Sequence, residues 1–531
     1  MKNNYFSLNN INSFFFLLFP ISLIIGSAAI ELNILIINLV FIFIFFKKKL
    51  YIWNNKIFIL LLFFCLLQII ISFFAYDQSL SFKRSLTYIR FPIFFLAITY
   101  ILSNSSLVIN YFISIILFAI IFIFFDMYYQ YITGYDLFNY KYLQPRLSGP
   151  FGDELIAGSF LARYSPLVIV FFLFKELKNR IFKYLFLFIF TLLSYYFIIL
   201  SGERLAIILF ITTLLCLIFF IKHNLRYFLF FLTFCSLVLF AIIVYSKQDY
   251  FNRYIFNNKS IFDNFLKQED QVSKNSDTFF YKSNYAEIYL KSFEIIKKNF
   301  ILGIGAKNFK YVCSNPEYSI YDEKLKNKYI YDKFKQRYNR ELSLSSVLIL
   351  EELYNYINGN NLEKIIIKNP NIDNFFSKPL PLFKEASDYD NFKQHIKENI
   401  NIIFIENDNF TQQINTDDVF DILVLLKEKP NFYADGCSTH SHNLYIEILT
   451  EFGVFIFLFF LYILYCCLRL RIPQQYEFIL GFKASLFSIL IPIFPNGNFF
   501  NNWNHSYFII LIAIIYYYST KNNFTNNDQI K

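Results

Sequence analysis

Apolar runs recur along this chain at a length that leaves few folds open. They lie near 11–28, 31–46, 57–75, 88–103, 107–127, 155–174, 181–200, 204–221, 225–245, 442–467, 477–494 and 504–518. A helix crossing the hydrocarbon core needs about 20 apolar residues, with roughly 17–25 tolerated. Inside lipid every backbone N–H and C=O must be satisfied within the protein, which helices achieve on their own. The runs therefore predict an all-α polytopic membrane protein with about twelve transmembrane helices. The first run lacks a small-residue cleavage site and leads straight into the second, so it reads as a retained helix rather than a removed signal peptide.

Composition agrees with this class: 56% of the 531 residues are hydrophobic and only 17% charged, unlike a soluble globular chain. The 73 phenylalanines accompany equally heavy use of Ile, Asn, Lys and Tyr, as in an AT-rich coding sequence. Aromatic abundance alone therefore carries no functional weight.

Cations set the expected orientation. With the N-terminus cytoplasmic, inside segments carry Lys2, Lys47, Lys48, Lys49, Lys56, Lys175, Lys178, Arg180, Lys183, Lys222, Arg226, Arg469, Arg471, Lys521 and Lys531. The short outside loops carry only Lys83, Arg84, Lys141, Arg146 and Arg204. That bias is the positive-inside pattern, and an even span count returns the C-terminus to the cytoplasm. The expected organisation is an N-terminal helix bundle over 1–245, an exported loop domain over 246–441, C-terminal helices over 442–518 and a cytoplasmic tail over 519–531.

The loop domain holds 26 basic and 27 acidic residues, so of the formal net charge of +10 the loop contributes −1 and the membrane part +11. That placement fits insertion and contact with membrane lipids and argues against nucleic acid as a partner. Within the loop, 283–300 has helical spacing closed by Gly303 and Gly305, and 343–357 reads as a second helix. The segments 363–370 and 401–408 look more like short strands or helix ends. Five of the seven cysteines fall in or beside apolar runs; only Cys313 and Cys437 lie in the exported part. Two cysteines alone in an oxidising compartment suggest a disulfide, with two free thiols as the alternative.

Several polar segments converge on the outer face: RSLTYIRFP with Arg84 and Arg90, RLSGPFGDELIAG with Arg146, SGERLA with Glu203 and Arg204, CSTHSHN, and PNGNFFNNWNHS. Arginines where spans emerge outside oppose the positive-inside bias, so each needs compensation. A guanidinium fork suits carboxylate or diphosphate through two parallel charge-assisted hydrogen bonds. Any one of these arginines can equally be a structural ion pair, and the NNWN stretch an interfacial turn. His440 and His442 form H-x-H, which could share a metal only on extended backbone, and no further ligand set stands beside them. His442, followed by Asn443 at a helix start, is better placed as a lone general base.

THSHNLYIEILTEFGVF resembles the hallmark segment of the O-antigen ligase and polymerase superfamily. SGERLA resembles that superfamily's central motif, GIGAKNFKYVC its exported-loop motif, and RLSGPFGDELIAG and PNGNFFNNWN further ligase-like segments. The resemblance implies a GT-C-like membrane glycosyltransferase in a bacterial inner membrane, with a large periplasmic loop. Such an enzyme passes a glycan from undecaprenyl diphosphate to a sugar hydroxyl, in ligases that of lipid A-core, with inversion and without metal or cofactor. His442 and Arg204 match the catalytic motif positions; Arg84, Arg90 and Arg146 match diphosphate-binding positions, with Asn443, Glu203 and His440 in support. The stretch between Cys313 and Cys437 exceeds the length expected for the loop. A polymerase using a second lipid-linked repeat as acceptor is the neighbouring alternative. A lipid-linked glycan transporter would need charged groups lining a path at mid-span, and a scaffold would leave the histidines and arginines without a task.

Overall fold

The computed structural model describes residues 8–50, 55–105, 107–142, 145–221, 223–256, 284–313, 315–318, 365–367, 402–405, 411–413, 437–492 and 497–527. The expected helix over 343–357 and Asn496 lie outside the described residues. The chain divides into two compact units.

The first unit comprises Met1–Ala286, Ile296–Phe309 and Thr439–Lys531 and holds nearly all of the helices. In chain order they are α1 (Leu8–Ile25), α2 (Ser27–Lys48), α3 (Lys56–Ser72), α4 (Gln78–Tyr88), α5 (Arg90–Asn104) and α6 (Val108–Thr133). Then come α7 (Ala157–Phe174), α8 (Arg180–Leu200), α9 (Arg204–Phe220), α10 (His223–Ser246) and the short α11 (Gln248–Phe251). The helices α12 (Asn284–Lys298) and the short α13 (Phe309–Val312) have residues in both units, and the remaining helices of the first are α14 (Leu444–Arg469), α15 (Leu480–Ile489) and α16 (Asn502–Asn527).

Every apolar run of the sequence coincides with a helix, but not every helix has the dimensions of a span. Among the described residues, eight helices are long and apolar enough to cross a membrane, α4 and α5 counting together as one. The apolar helices α3 and α9 stop at 17 residues, and α15 at 10. Among the described residues the protein is thus nearly all-helical and built for a membrane, with eight helices that qualify by length and composition.

Short C-terminal runs proved to be core. From Tyr507 to Tyr518 every residue of α16 is buried, and Ile509, Leu511 and Ile512 are at most 2% exposed. A helix that is apolar all round is stable only when surrounded, and α2, α5, α14 and α15 surround this one. Aromatic stacking ties other helices together: Phe16 of α1 lies on Phe112 of α6 at 4.6 Å, and Phe124 of α6 on Phe197 of α8 at 4.9 Å.

One break in this unit has a specific cause. Gly453 interrupts α14 with φ 73° and ψ −179°, a backbone that L side chains rarely adopt. The carbonyls freed N-terminal to the break are taken by the Gly-Ile-Gly turn: Ile304 donates to Thr450 O at 3.0 Å and Gly305 to Glu451 O at 2.8 Å. In return Val454 donates to Phe300 O at 2.9 Å. A Cβ on Gly453 would stand 2.1 Å from Ile301 O, and one on Gly303 2.5 Å from the Glu451 carbonyl carbon. Residues 300–305, read from the sequence as a helix end inside the loop, are therefore the segment that satisfies a broken helix.

The second unit comprises Glu287–Ile295 and Lys310–Ser438. Three short strands, β1 (Ile365–Ile367), β2 (Ile402–Ile405) and β3 (Thr411–Gln413), form an antiparallel sheet in that order. The first two fall in the segments read as strands or helix ends. Lys291 donates to Tyr318 O at 2.9 Å, and Cys313 and Cys437 are joined by a disulfide with Cα atoms 5.3 Å apart.

Candidate functional site

The SGER segment turns sharply between α8 and α9. Gly202 sits at φ +68°, and a Cβ there would meet Arg146 Cγ at 2.7 Å and Arg253 Nε at 2.9 Å. Glycine is thus what lets two arginine side chains lie against this backbone. Arg253 Nε donates to Gly202 O at 2.6 Å, and Arg204 Nη2 donates to Arg253 O at 2.6 Å. Arg204 is exposed and Arg146 and Arg253 are partly buried.

The carboxylate in the turn is engaged elsewhere. Glu203 accepts the Ser159 hydroxyl at 2.5 Å and the Ser159 amide at 3.2 Å, near the start of α7. Gly158 permits this approach, since a Cβ there would collide with Ser201 Oγ at 2.1 Å. Burial pushes the Glu203 carboxyl above its ordinary value, while the Ser159 hydrogen bonds and the guanidiniums of Arg146 and Arg163 pull it back. Arg146 and Arg163 thus bear on one glutamate, while Arg253 and Arg204 are hydrogen-bonded to backbone carbonyls beside it.

Arg163 stands between this turn and the start of α14. Its guanidinium lies over the Trp503 ring at 4.8 Å, its Nη1 donates to Ser159 O at 3.1 Å, and its own carbonyl accepts the Tyr507 hydroxyl at 2.9 Å. It also lines a crevice with Leu444, Leu490, Asn504 and Tyr507. Leu444 directly follows His442 and Asn443, so one arginine stands within electrostatic reach of Glu203 and beside the start of α14.

Asn443 builds that start. Its Oδ1 accepts the amides of Tyr445 and Ile446 at 3.0 and 3.2 Å, an N-cap. Its Nδ2 donates to Pro492 O at 2.7 Å, and the Tyr445 hydroxyl donates to Leu490 O. The cap forces the preceding residue out of line: His442 has φ +54°, uncommon for a residue with a side chain. The His440 and His442 rings face each other with centroids 3.9 Å apart, and Thr439 Oγ1 lies 2.9 Å from His440 Nδ1. Burial holds the half-buried His442 imidazole below its ordinary value. Among the described residues no group of three or more His, Cys, Asp or Glu side chains comes together as a metal site.

Arg84 and Arg90 form a separate arrangement near Tyr88. Arg90 Nη1 pairs with Glu31 Oε1 at 2.5 Å and its Nη2 donates to Asn502 Oδ1 at 2.6 Å, while Asn502 Nδ2 donates to Glu31 Oε2 at 2.6 Å. This closed triangle is the structural pairing that the sequence left open for any one arginine. Arg84 is exposed on α4. Both the Arg90 triangle and the Arg163 stack rest on adjacent residues at the start of α16, Asn502 and Trp503.

Sequence reasoning passed over Arg163 and Arg253. Arg163 carried a usable signal, a single cation inside the apolar run 155–174. It also passed over Glu447 and Glu451, both 1% exposed on α14, where Glu447 Oε2 accepts the Phe499 amide at 3.0 Å.

Residues 186–334 match the family model described as O-antigen ligase. The matched stretch contains the SGER turn and the Gly-Ile-Gly segment, and it ends before His442. Over that stretch the chain is similar to O-antigen ligases, in agreement with the resemblance carried by SGERLA and GIGAKNFKYVC. No curated protein and no solved structure matches the chain.

Proposed function

We propose that this protein is a glycosyltransferase that moves a glycan from a polyprenyl-diphosphate carrier, undecaprenyl diphosphate, to a sugar hydroxyl of lipid A-core on the periplasmic side of a bacterial inner membrane. The observation that carries the reading is the position of Arg163. It lies within electrostatic reach of Glu203 in the arginine-rich turn and lines a crevice with Leu444, two residues after His442.

In this reading the guanidiniums of Arg204, Arg146 and Arg163 hold the donor diphosphate and stabilise the charge that grows on it as it leaves. His442 accepts the proton of the attacking hydroxyl. The acceptor oxygen bonds to the anomeric carbon from the face opposite the diphosphate, and the bond to the phosphate oxygen breaks with its electron pair leaving on the diphosphate. One displacement from the opposite face inverts the anomeric centre. The donor is already activated, so the step calls for neither nucleotide nor metal. Arg90, held by Glu31 and Asn502, keeps α2, α5 and α16 in register and contributes to the site through position.

A polymerase would share this chemistry and differ in acceptor. Lipopolysaccharide from a deletion strain tests the assignment: accumulation of full-length lipid-linked glycan supports a ligase, and accumulation of single lipid-linked repeats assigns a polymerase.

A further inference from the structure

Beyond α6 the chain forms a small hairpin whose construction exceeds what a linker needs. Gly134 ends the helix at φ +82°, Tyr135 bridges to Lys141, and Tyr142 N returns to Gly134 O at 2.7 Å. Asp136, 3% exposed, accepts the amides of Phe138 and Tyr140 at 2.9 and 2.7 Å, and Asp126 of α6 accepts the Leu137 amide at 2.8 Å. The two carboxylates thus serve the hairpin backbone from within.

What the hairpin presents outward is mostly aromatic and apolar, with Asn139 and Lys141 as its exposed polar side chains. Leu137, Phe138 and Tyr140 are exposed, Phe138 by 59%, while Lys141 is the one exposed charge between 134 and 142. This surface continues the exposed stripe of α6, on which Phe118, Phe125 and Ile132 recur at helical spacing, with Phe118 67% exposed. That stripe belongs to a 26-residue helix long and apolar enough to cross a membrane, so its exposed face is the face lipid covers. A surface continuous with it and rich in aromatic side chains suits the headgroup boundary, where amphipathic rings settle.

The hairpin is also laced to the arginine turn. The Tyr140 ring closes on Gly152, where a Cβ would lie 3.0 Å from Tyr140 Cζ. Gln130 Oε1 at the end of α6 accepts the amides of Ser148 and Gly149, each at 3.0 Å. The loop so held carries Arg146, whose Cγ abuts Gly202.

We infer that the hairpin 134–142 is an interfacial anchor, seated among the lipid headgroups, that fixes the depth of the Arg146 loop at the level of a lipid-borne diphosphate. The depth role rests on the function proposed above; the lipid contact does not. The test places a benzophenone amino acid at Phe138, and separately at Phe118, in the full-length protein in native membranes. Irradiation followed by mass spectrometry should give phospholipid adducts at both positions in comparable yield. Phospholipid adducts at Phe118 with none at Phe138, or adducts at Phe138 to glycan alone, overturn the anchor. Neither readout requires transfer activity, so failure of the proposed reaction leaves this result interpretable on its own.

Discussion

One carboxylate oxygen of Glu203 accepts the Ser159 hydroxyl at 2.5 Å and the other accepts the Ser159 amide at 3.2 Å. This clamp joins the start of α7 to the arginine turn. Glu203→Ala strands two partly buried donors, each worth about 1–3 kcal/mol. A lower melting temperature together with reduced transfer is expected. Glu203→Gln keeps one acceptor oxygen and should fall between the two; a Gln variant as damaged as the Ala variant would show that the negative charge, and not the clamp, is what the turn requires.

The lowered His442 value fixes the direction of a pH profile. A general base works as neutral imidazole, and burial shifts protonation below 6.5. Activity should therefore be flat above that pH and decline only as pH falls through the lowered value, which a plot of kcat/KM against pH will show. A limb still rising well above 6.5 would point to another group. Replacing His442 by Gln should cost roughly 10²–10⁴-fold, the usual scale for a lost general base.

The break in α14 depends on glycine. Gly453→Ala must fit a Cβ 2.1 Å from Ile301 O at φ 73°. A positive φ on a residue with a side chain costs of order 1–3 kcal/mol before the collision is counted. Thermal stability in detergent should drop, and the Gly-Ile-Gly turn should become accessible to hydrogen exchange at Ile304 and Gly305. Unchanged protection at both amides would contradict the interlock.

The disulfide closes a long stretch of chain, Cys313 and Cys437 being 124 residues apart. Chain-entropy reasoning gives about 4.7 kcal/mol for a loop of roughly 100 residues, as an upper expectation. Cys313→Ser should make the second unit more sensitive to protease while the membrane helices stay folded. Thiol labelling of the unreduced wild-type protein at both positions would remove the bond.

Some of this was readable from residues alone. Apolar runs locate every membrane helix because hydrocarbon imposes a local rule, length and hydropathy, on each segment separately. Span count was less legible: α3 and α9 sit at the lower edge of spanning length, and the run at 477–494 is shortened by a 3₁₀ turn over Gln474–Ile479 before α15 begins. Long-range pairing could not be expected, since nothing local tells that Arg90 is neutralised by Glu31, 59 positions earlier, or that Asn502 completes the triangle. Arg163 was missed for a related reason, as a lone cation in an apolar run shows its purpose only when Trp503 and Ser159 are seen beside it. The Gly-Ile-Gly segment was legible as a turn, but its partner is a helix break that lies about 150 residues away.

The central claim is that the arginine turn and the imidazole at the head of α14 act on one donor. Purified protein in lipid vesicles, given polyprenyl-diphosphate-linked glycan and lipid A-core, measures it directly by following glycan appearing on the acceptor. Wild-type protein should transfer, while His442→Ala and Arg204→Ala should each lose transfer despite normal insertion and melting behaviour. Undiminished transfer by the His442→Ala protein would contradict the account.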